Sequence, residues 1–157
     1  MNFYRKCVGI TVFNSRGKIW VGERSNINSE KKWQMPQGGV DSGEKTLNAA
    51  SRELFEETGI KSVQLIKESS NWIKYDFPSE VFLKKKIRGQ EQKWYLFFFK
   101  GKDLEVNLNL MHNPEFSSWK WDTIENTIQN VIEFKKLVYE EIFKEFYPFI
   151  NKQIKNL

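Results

Sequence analysis

The segment Gly38 to Ile60, GGVDSGEKTLNAASRELFEETGI, constrains this 157-residue chain more than any other. Two glycines open it. Leu47, Ala50, Leu54 and Thr58 then recur at helical spacing, which predicts a helix over about Leu47 to Thr58. Gly59 stands where a left-handed C-terminal cap belongs. On that helix Glu53, Glu56 and Glu57 share an arc of about 100°. Like charges at these i, i+3 and i+4 spacings repel by a few tenths of a kcal/mol per pair, roughly, and packing does not require them. A divalent cation reverses the sign of that interaction, because each carboxylate offers hard oxygens that can hold Mg²⁺ or Mn²⁺ against a substrate phosphate. The bland alternative is a solvated acidic face, but such faces usually mix signs and this arc carries no lysine. The three glutamates are therefore expected to be exposed and to converge.

Residue counts narrow the chemistry. The chain has one cysteine, Cys7, and one histidine, His112. An internal disulfide is impossible and a zinc site of about four N or S ligands cannot be assembled. A bound metal must take oxygen ligands, which again points to Mg²⁺ or Mn²⁺. Cys7 reads as an inert thiol on a core strand, and His112 as a loop residue. Lys and Arg number 25 against 20 acidic residues, a net charge of +5. That balance suits a polyanionic partner such as RNA or a nucleotide, or equally an ordinary lysine-rich surface. The longest N-terminal apolar stretch, Val8 to Phe13, is too short for an export signal, and the six-residue run Trp94 to Phe99 is far short of the ~20 residues of a membrane span. The reading is a cytoplasmic protein. At roughly 150 residues per domain, it is a single domain over 1–157.

Along the chain, Val8–Phe13 and Lys18–Val21 flank the turn signal Asn14-Ser15-Arg16-Gly17 and read as a hairpin. Ser25 to Lys32 is a polar loop. Pro36 and Gly38-Gly39 are expected to break any regular element after Trp33. Lys61 to Tyr75 predicts one or two strands, and Phe77-Pro78 opens a basic loop with Lys84, Lys85, Lys86 and Arg88. Lys93–Phe99 and Ser118–Trp121 read as strands, with a loop over Asn107–Pro114 between them. Val131 to Tyr147 predicts a final amphipathic helix stopped or kinked by Pro148. Strands around one central and one C-terminal helix imply a mixed sheet packed between helices, an α/β fold.

The pattern G-x5-E-x7-R-E-U-x-E-E-x-G-U, with U bulky and apolar, is matched at every fixed position: Gly38, Glu44, Arg52, Glu53, Leu54, Glu56, Glu57, Gly59 and Ile60. This resembles the Nudix box, and nine fixed positions within 23 residues make a chance match negligible. Trp33-Gln34-Met35-Pro36-Gln37-Gly38-Gly39 resembles the entry to that box in the bacterial RNA pyrophosphohydrolase and dinucleoside polyphosphate hydrolase branch. So do Tyr4-Arg5, Gly89 to Trp94, Asn113 to Phe116 with Trp119-Lys120-Trp121, and Phe134-Lys135 on the last helix.

The resemblance implies a Nudix α/β/α sandwich with a loop-helix-loop catalytic motif, acting on a pyrophosphate bond. It assigns Glu53, Glu56 and Glu57 as ligands of Mg²⁺ or Mn²⁺, assisted by the Gly38 carbonyl and completed by Glu115. Glu53 is favoured for contact with the attacking water. Arg52 and Glu44 are expected to pair and hold the motif in shape. Phe134 is matched to the aromatic on which a base stacks and Arg24 to the arginine beside it, although periodicity alone makes Phe134 a core position. Arg5 and Lys135 are implied phosphate contacts. The implied partner is 5′-triphosphorylated RNA, cleaved to a 5′-monophosphate as a step toward mRNA decay. A dinucleoside polyphosphate is the alternative, and a non-catalytic nucleotide- or RNA-binding module a more distant one; neither DNA nor a membrane is expected. The Lys84–Arg88 stretch either tracks an RNA backbone or is a solvated lysine loop. Between Arg24 and Trp33 the chain carries more residues than is typical, including Lys31-Lys32, at the edge of the implied nucleotide site.

Overall fold

Two long strands, β1 (Tyr4–Phe13) and β7 (Gly89–Phe99), run parallel in the middle of an eight-stranded sheet, in register from Tyr4 opposite Gly89 to Phe13 opposite Phe98. Both are apolar on successive residues because both faces of the sheet are covered. Val8, Ile10, Val12, Tyr95, Phe97 and Phe99 face one core, and Phe13, Trp94, Leu96 and Phe98 face the other. The computed structural model describes residues 4–157.

The hairpin forms as expected, with β2 (Ile19–Arg24) antiparallel to β1 after the Asn14–Gly17 turn. Asn14 Oδ1 accepts from the backbone N–H groups of Arg16 and Lys18 and so closes that turn. The segment around Pro36 is more regular than its glycines and proline suggest. β3 (Trp33–Gln34) pairs with β2 and β4 (Gln37–Gly39) pairs with β1, and Pro36 between them accepts from the Ile10 N–H at 2.9 Å. Glycine and proline break a strand only where its ladder needs a side chain or an N–H, and here neither is missed. Lys61–Tyr75 holds two strands, β5 (Val63–Glu68) and β6 (Ile73–Asp76), both antiparallel to β7. β8 (Phe116–Asp122) pairs with β2. One parallel pair among antiparallel ones makes the sheet mixed.

The helices form the outer layers. α1 (Thr46–Thr58) covers the face lined by Val8 and Ile10 with Ala49, Ala50 and Leu54. It ends at Gly59, whose φ of 77° carries the left-handed cap and whose N–H donates to Phe55 O. Two expectations need correction. The basic stretch is a short helix, α2 (Ser79–Lys85), ended by Lys86 at φ 59°, because Pro78 starts a turn that the ladder-free chain continues. The final helix does not begin at Val131. α3 (Ile124–Gln129), capped by the Thr123 hydroxyl, is followed by a 3₁₀ turn over Glu133–Lys135, and α4 spans Lys136–Lys155. α4 runs through Pro148 because the turns beyond it bury Ile150 and pack Ile154 against the other core. Among the described residues no helix is long and apolar enough to cross a membrane.

Tyr139 of α4 ties this outer layer to the segment that precedes the glutamate helix. Its ring lies edge-on to Trp94 of β7, and its hydroxyl oxygen accepts the buried Met35 N–H at 2.9 Å. Tyr139→Phe keeps the ring and strands that N–H. We expect a loss of about 1–3 kcal/mol, read by thermal melting at roughly 2–4 °C per kcal/mol for a chain of this size. An unchanged melting temperature would show that water or a shifted backbone replaces the hydroxyl.

Candidate active site

The segment Trp33–Gly39 is pinned on both sides by strands, and α1 runs past it, so the helix face bearing the glutamates meets backbone rather than bulk water. A Cβ at Gly38 would fall on the carboxylate of Glu53, and a Cβ at Gly39 on the guanidinium of Arg5. These glycines are there for close approach. Glu57 Oε1 accepts the Gln37 N–H at 3.1 Å. The glutamates are therefore not the exposed set expected from the sequence: the Glu53 side chain is 15% accessible and that of Glu56 32%.

Arg52 organises this corner. Its Nε and Nη2 bind Glu44 in a two-pronged pair, both at 2.9 Å. Nη2 also donates to Gly39 O at 2.9 Å, and Nη1 donates to Glu53 Oε1 at 2.9 Å and Glu56 Oε2 at 3.3 Å. These five hydrogen bonds match the five N–H donors of a guanidinium. Glu44 also accepts the Asp41 N–H, and the Arg52 contact and that bond pull its carboxyl down to about 2. An arginine thus threads the acidic arc that appeared free of positive charge.

Glu57 is in the opposite electrostatic state. Burial first, then the charges of Glu115 and Glu53, raise its carboxyl well above the usual range. Burial also raises Glu53 against the opposing pull of Arg52. Glu115 lies just before β8, where its carbonyl accepts the Ser25 N–H and its carboxylate faces Arg24 at 3.7 Å. The fold thus brings Glu115 near Glu57 across more than fifty residues of sequence. Among the described residues no three acidic, His or Cys side chains already stand as a cation cage, since Arg52 holds Glu53 and Glu56 and Gln37 holds Glu57. The set nonetheless fits a hard divalent cation. Its donors are all oxygen, and like charges oppose its ionised carboxylates, Glu115 and Glu53 acting on Glu57 and Glu56 acting on Glu53, the condition that a cation relieves.

Arg24 joins this corner to a second cleft of about 640 Å³. Phe134, Lys135, Ile27, Lys85 and Gln90 are among its walls. Phe134 sits on the 3₁₀ turn rather than on α4, and its ring is backed by Tyr75 (stacked, centroids 6.0 Å apart) and Phe77 (edge-on, 5.9 Å). It is half-buried: the ring packs on those core aromatics and also forms part of the cleft wall. Lys135 differs from a surface phosphate contact. It is 6% exposed, its Nζ donates to Gln34 Oε1 at 3.0 Å, and burial followed by the nearby Arg24 charge lowers its ammonium to about 7. The long 25–32 loop is strapped to the same turn by a 2.9 Å Lys31–Glu133 ion pair.

Sequence reasoning missed the polar floor. Gln90 Oε1 accepts from the Tyr75 hydroxyl (2.8 Å), Gln92 Nε2 (2.9 Å) and Gln37 Nε2 (3.3 Å), while Gln92 Oε1 accepts from Trp94 Nε1 at 3.0 Å. This network spans the sheet between Gly38 and Phe134. A signal existed: Gln90, Gln92 and Trp94 alternate on one face of β7, opposite the charged Glu91 and Lys93.

Comparisons with known proteins agree with this architecture. The NUDIX domain family matches residues 3–144. The chain is 50% identical over 155 residues to the RNA pyrophosphohydrolase of Bartonella clarridgeiae, covering 91% of this chain and 90% of that one. It is 46% identical to the RNA pyrophosphohydrolase of Rhizobium meliloti, covering 91% and 93%. The structure of the E. coli dihydroneopterin triphosphate pyrophosphohydrolase superposes with a TM-score of 0.69 over 89% of this chain and 97% of that one, at 15% identity, a likeness of fold. With the box, the sandwich and these relatives in agreement, the chain belongs to the Nudix family.

Proposed function

We propose that this protein is a divalent-metal-dependent RNA 5′ pyrophosphohydrolase: it removes pyrophosphate from 5′-triphosphorylated RNA and leaves a 5′-monophosphate, in the cytoplasm, where it promotes mRNA decay. One observation carries the reading. The carboxylate corner of Glu53, Glu57 and Glu115 and the aromatic, cationic cleft of Phe134 and Lys135 adjoin, joined by the Arg24–Glu115 contact. A nucleotide's base and its phosphates need two such unlike surfaces side by side. The high identity to RNA pyrophosphohydrolases supports RNA as the source of that nucleotide.

Glu53, Glu56, Glu57 and Glu115, with the Gly38 carbonyl, are the residues that would hold Mg²⁺ or Mn²⁺; the cation supplies positive charge for the phosphates and lowers the pKa of water bound to it. The chain's own residues do the rest. We assign to Glu53, desolvated against Gly38 and raised above an ordinary carboxylate, contact with the attacking water and removal of its proton. Arg52 fixes the rotamers of Glu53 and Glu56 and clamps the preceding loop through Gly39 and Glu44. Arg5, lying over Gly39, neutralises phosphate charge beside the glutamates, and Arg24, in the same cleft wall as Phe134, helps hold the base. Phe134 gives the base a face to stack on, and Lys135, held by Gln34, adds a buried cationic group to the cleft wall. Water attack forms one P–O bond as the bond to the leaving pyrophosphate breaks, so alignment and charge are the main demands.

The direct test mixes triphosphorylated RNA and diadenosine tetraphosphate at equal concentration with Mg²⁺ and reads the ratio of kcat/KM from product formation. RNA should win, and chelation by EDTA should stop both reactions. A ratio favouring the dinucleoside tetraphosphate would replace RNA as the preferred substrate.

Glu53→Gln and Glu57→Gln should each lower kcat by at least ~10², since removing a ligand misplaces cation, water and phosphate together. For Glu57→Gln the melting temperature carries a second signature. Mg²⁺ should raise it in the parent protein by mass action on the folded state. The variant should lose that rise, yet be no less stable than the metal-free parent, because it removes a desolvated carboxyl opposed by like charges and keeps an acceptor for the Gln37 N–H. A retained Mg²⁺ shift would remove Glu57 from the ligand set.

Glu44→Gln should cost more in stability than in rate. Glu44 is held below its unfolded value, so its contribution is fully present above pH ~4.3 and is lost as pH falls toward about 2. The gap in melting temperature between parent and variant should therefore be constant at neutral pH and close on acidification. A pH-independent gap would assign the loss to packing instead.

A further inference from the structure

α2 has no buried residue, although it is half apolar. Val81 turns toward the cleft that holds Phe134, while Phe82 is 37% exposed and Leu83 73%. A second pocket of about 260 Å³ opens beside Phe77, lined by Asp76, Phe77, Ser79, Phe82 and Arg88. Phe77 is a wall of both. Lys84 and Lys85 line the Phe134 cleft, here the first cleft, Arg88 lines the second pocket, and Lys86 stands between them in sequence.

Resting on the reading above, we infer that this second pocket is a binding site for a nucleotide of the single-stranded RNA downstream of the reacting end, with α2 as the ridge over which the strand passes. The pocket has the composition that single-stranded RNA recognition uses: an exposed aromatic face in Phe82, a planar guanidinium in Arg88, and a basic ridge beside them for the phosphates. Asp76 is its only carboxylate. It accepts from the Tyr4 hydroxyl at 2.6 Å and faces Arg88 at 3.4 Å, which leaves an acceptor suited to the exocyclic amine of a base and holds Arg88 across the pocket. Glu80 lies on the other flank, toward the first cleft. The lysines at the end of α2 also suit its helix dipole, but a dipole accounts for neither the exposed Phe82 nor the pocket under it. Such a site engages RNA and leaves a free dinucleoside polyphosphate untouched, because only RNA continues past the first cleft.

The experiment compares a triphosphorylated dinucleotide with a triphosphorylated, unstructured RNA of about ten nucleotides. Phe82→Ala should lower kcat/KM on the longer RNA by about fivefold or more, the scale of one lost base stack, chiefly through KM, and leave the dinucleotide unchanged. Phe82→Trp should restore the longer substrate. Equal losses on both substrates, or none on either, would overturn the inference. Fluorescence anisotropy of a labelled 5′-hydroxyl decamer gives a readout independent of hydrolysis. Changing Lys84, Lys85 and Lys86 to Gln should reduce the slope of log affinity against log salt by about 2, at ~0.7 per phosphate contact on a single strand, and an unchanged slope would remove the ridge. If the parent fails to hydrolyse triphosphorylated RNA while Phe82→Ala still weakens decamer binding, the RNA track stands and the pyrophosphohydrolase reading falls.

Discussion

The Arg52 guanidinium is the interaction on which the rest of the site depends. Loop 38–44 and helix α1 have no other shared polar anchor of comparable extent, and the loop's backbone is what the glutamates face. By spending its N–H donors on Glu44, Gly39 O, Glu53 and Glu56, Arg52 links the loop to the helix and sets two of the carboxylates in place. Lysine has three donors on a flexible stem and no planar fork, so it cannot reproduce this geometry. The repulsion along the helix is thereby partly offset before any cation arrives. Glu57, which is half-buried and forms no hydrogen bond with Arg52, retains the strain that a cation would relieve.

Around that hub, the sheet supplies rigidity. Its central strands bury both faces, and Tyr139 reaches through from α4 to fasten Met35, two residues before the backbone that Glu57 touches. The glutamine network of Gln37, Gln90 and Gln92 continues this floor toward Phe134. Its bonds join three sequence-distant segments, so the spacing between the carboxylate corner and the Phe134 cleft is set by strand register rather than by loops. The cleft's outer walls are softer: α2 buries nothing of its own, and the 25–32 loop is strapped by an exposed ion pair of the kind worth little in water. The cleft walls can thus vary without disturbing the carboxylate corner.

Much of this was legible in the amino-acid order. The box between Gly38 and Ile60 is local: helical spacing places its glutamates, Gly59 ends the helix, and the Arg52–Glu44 pair is eight residues apart. The hairpin, the central strands and α1 follow from short-range pattern for the same reason. Composition alone directed the metal chemistry toward oxygen ligands.

What only the tertiary structure decided depends on contacts between distant segments. Whether Pro148 ends a helix was settled by a core waiting for Ile150, and whether Lys84–Lys86 form a loop was settled by a turn started at Pro78. Exposure was the largest reversal. Glu53 and Glu57 look solvated on a helical wheel and are covered by the Gly38 strand, because a wheel carries no information about what packs on it. Lys135 looks like a surface cation and is buried against Gln34, a hundred residues earlier in the chain, where desolvation sets its charge. Sequence determines which groups a helix or strand presents together. The dielectric around them, and hence their protonation and their use, is decided by the segments that fold over them.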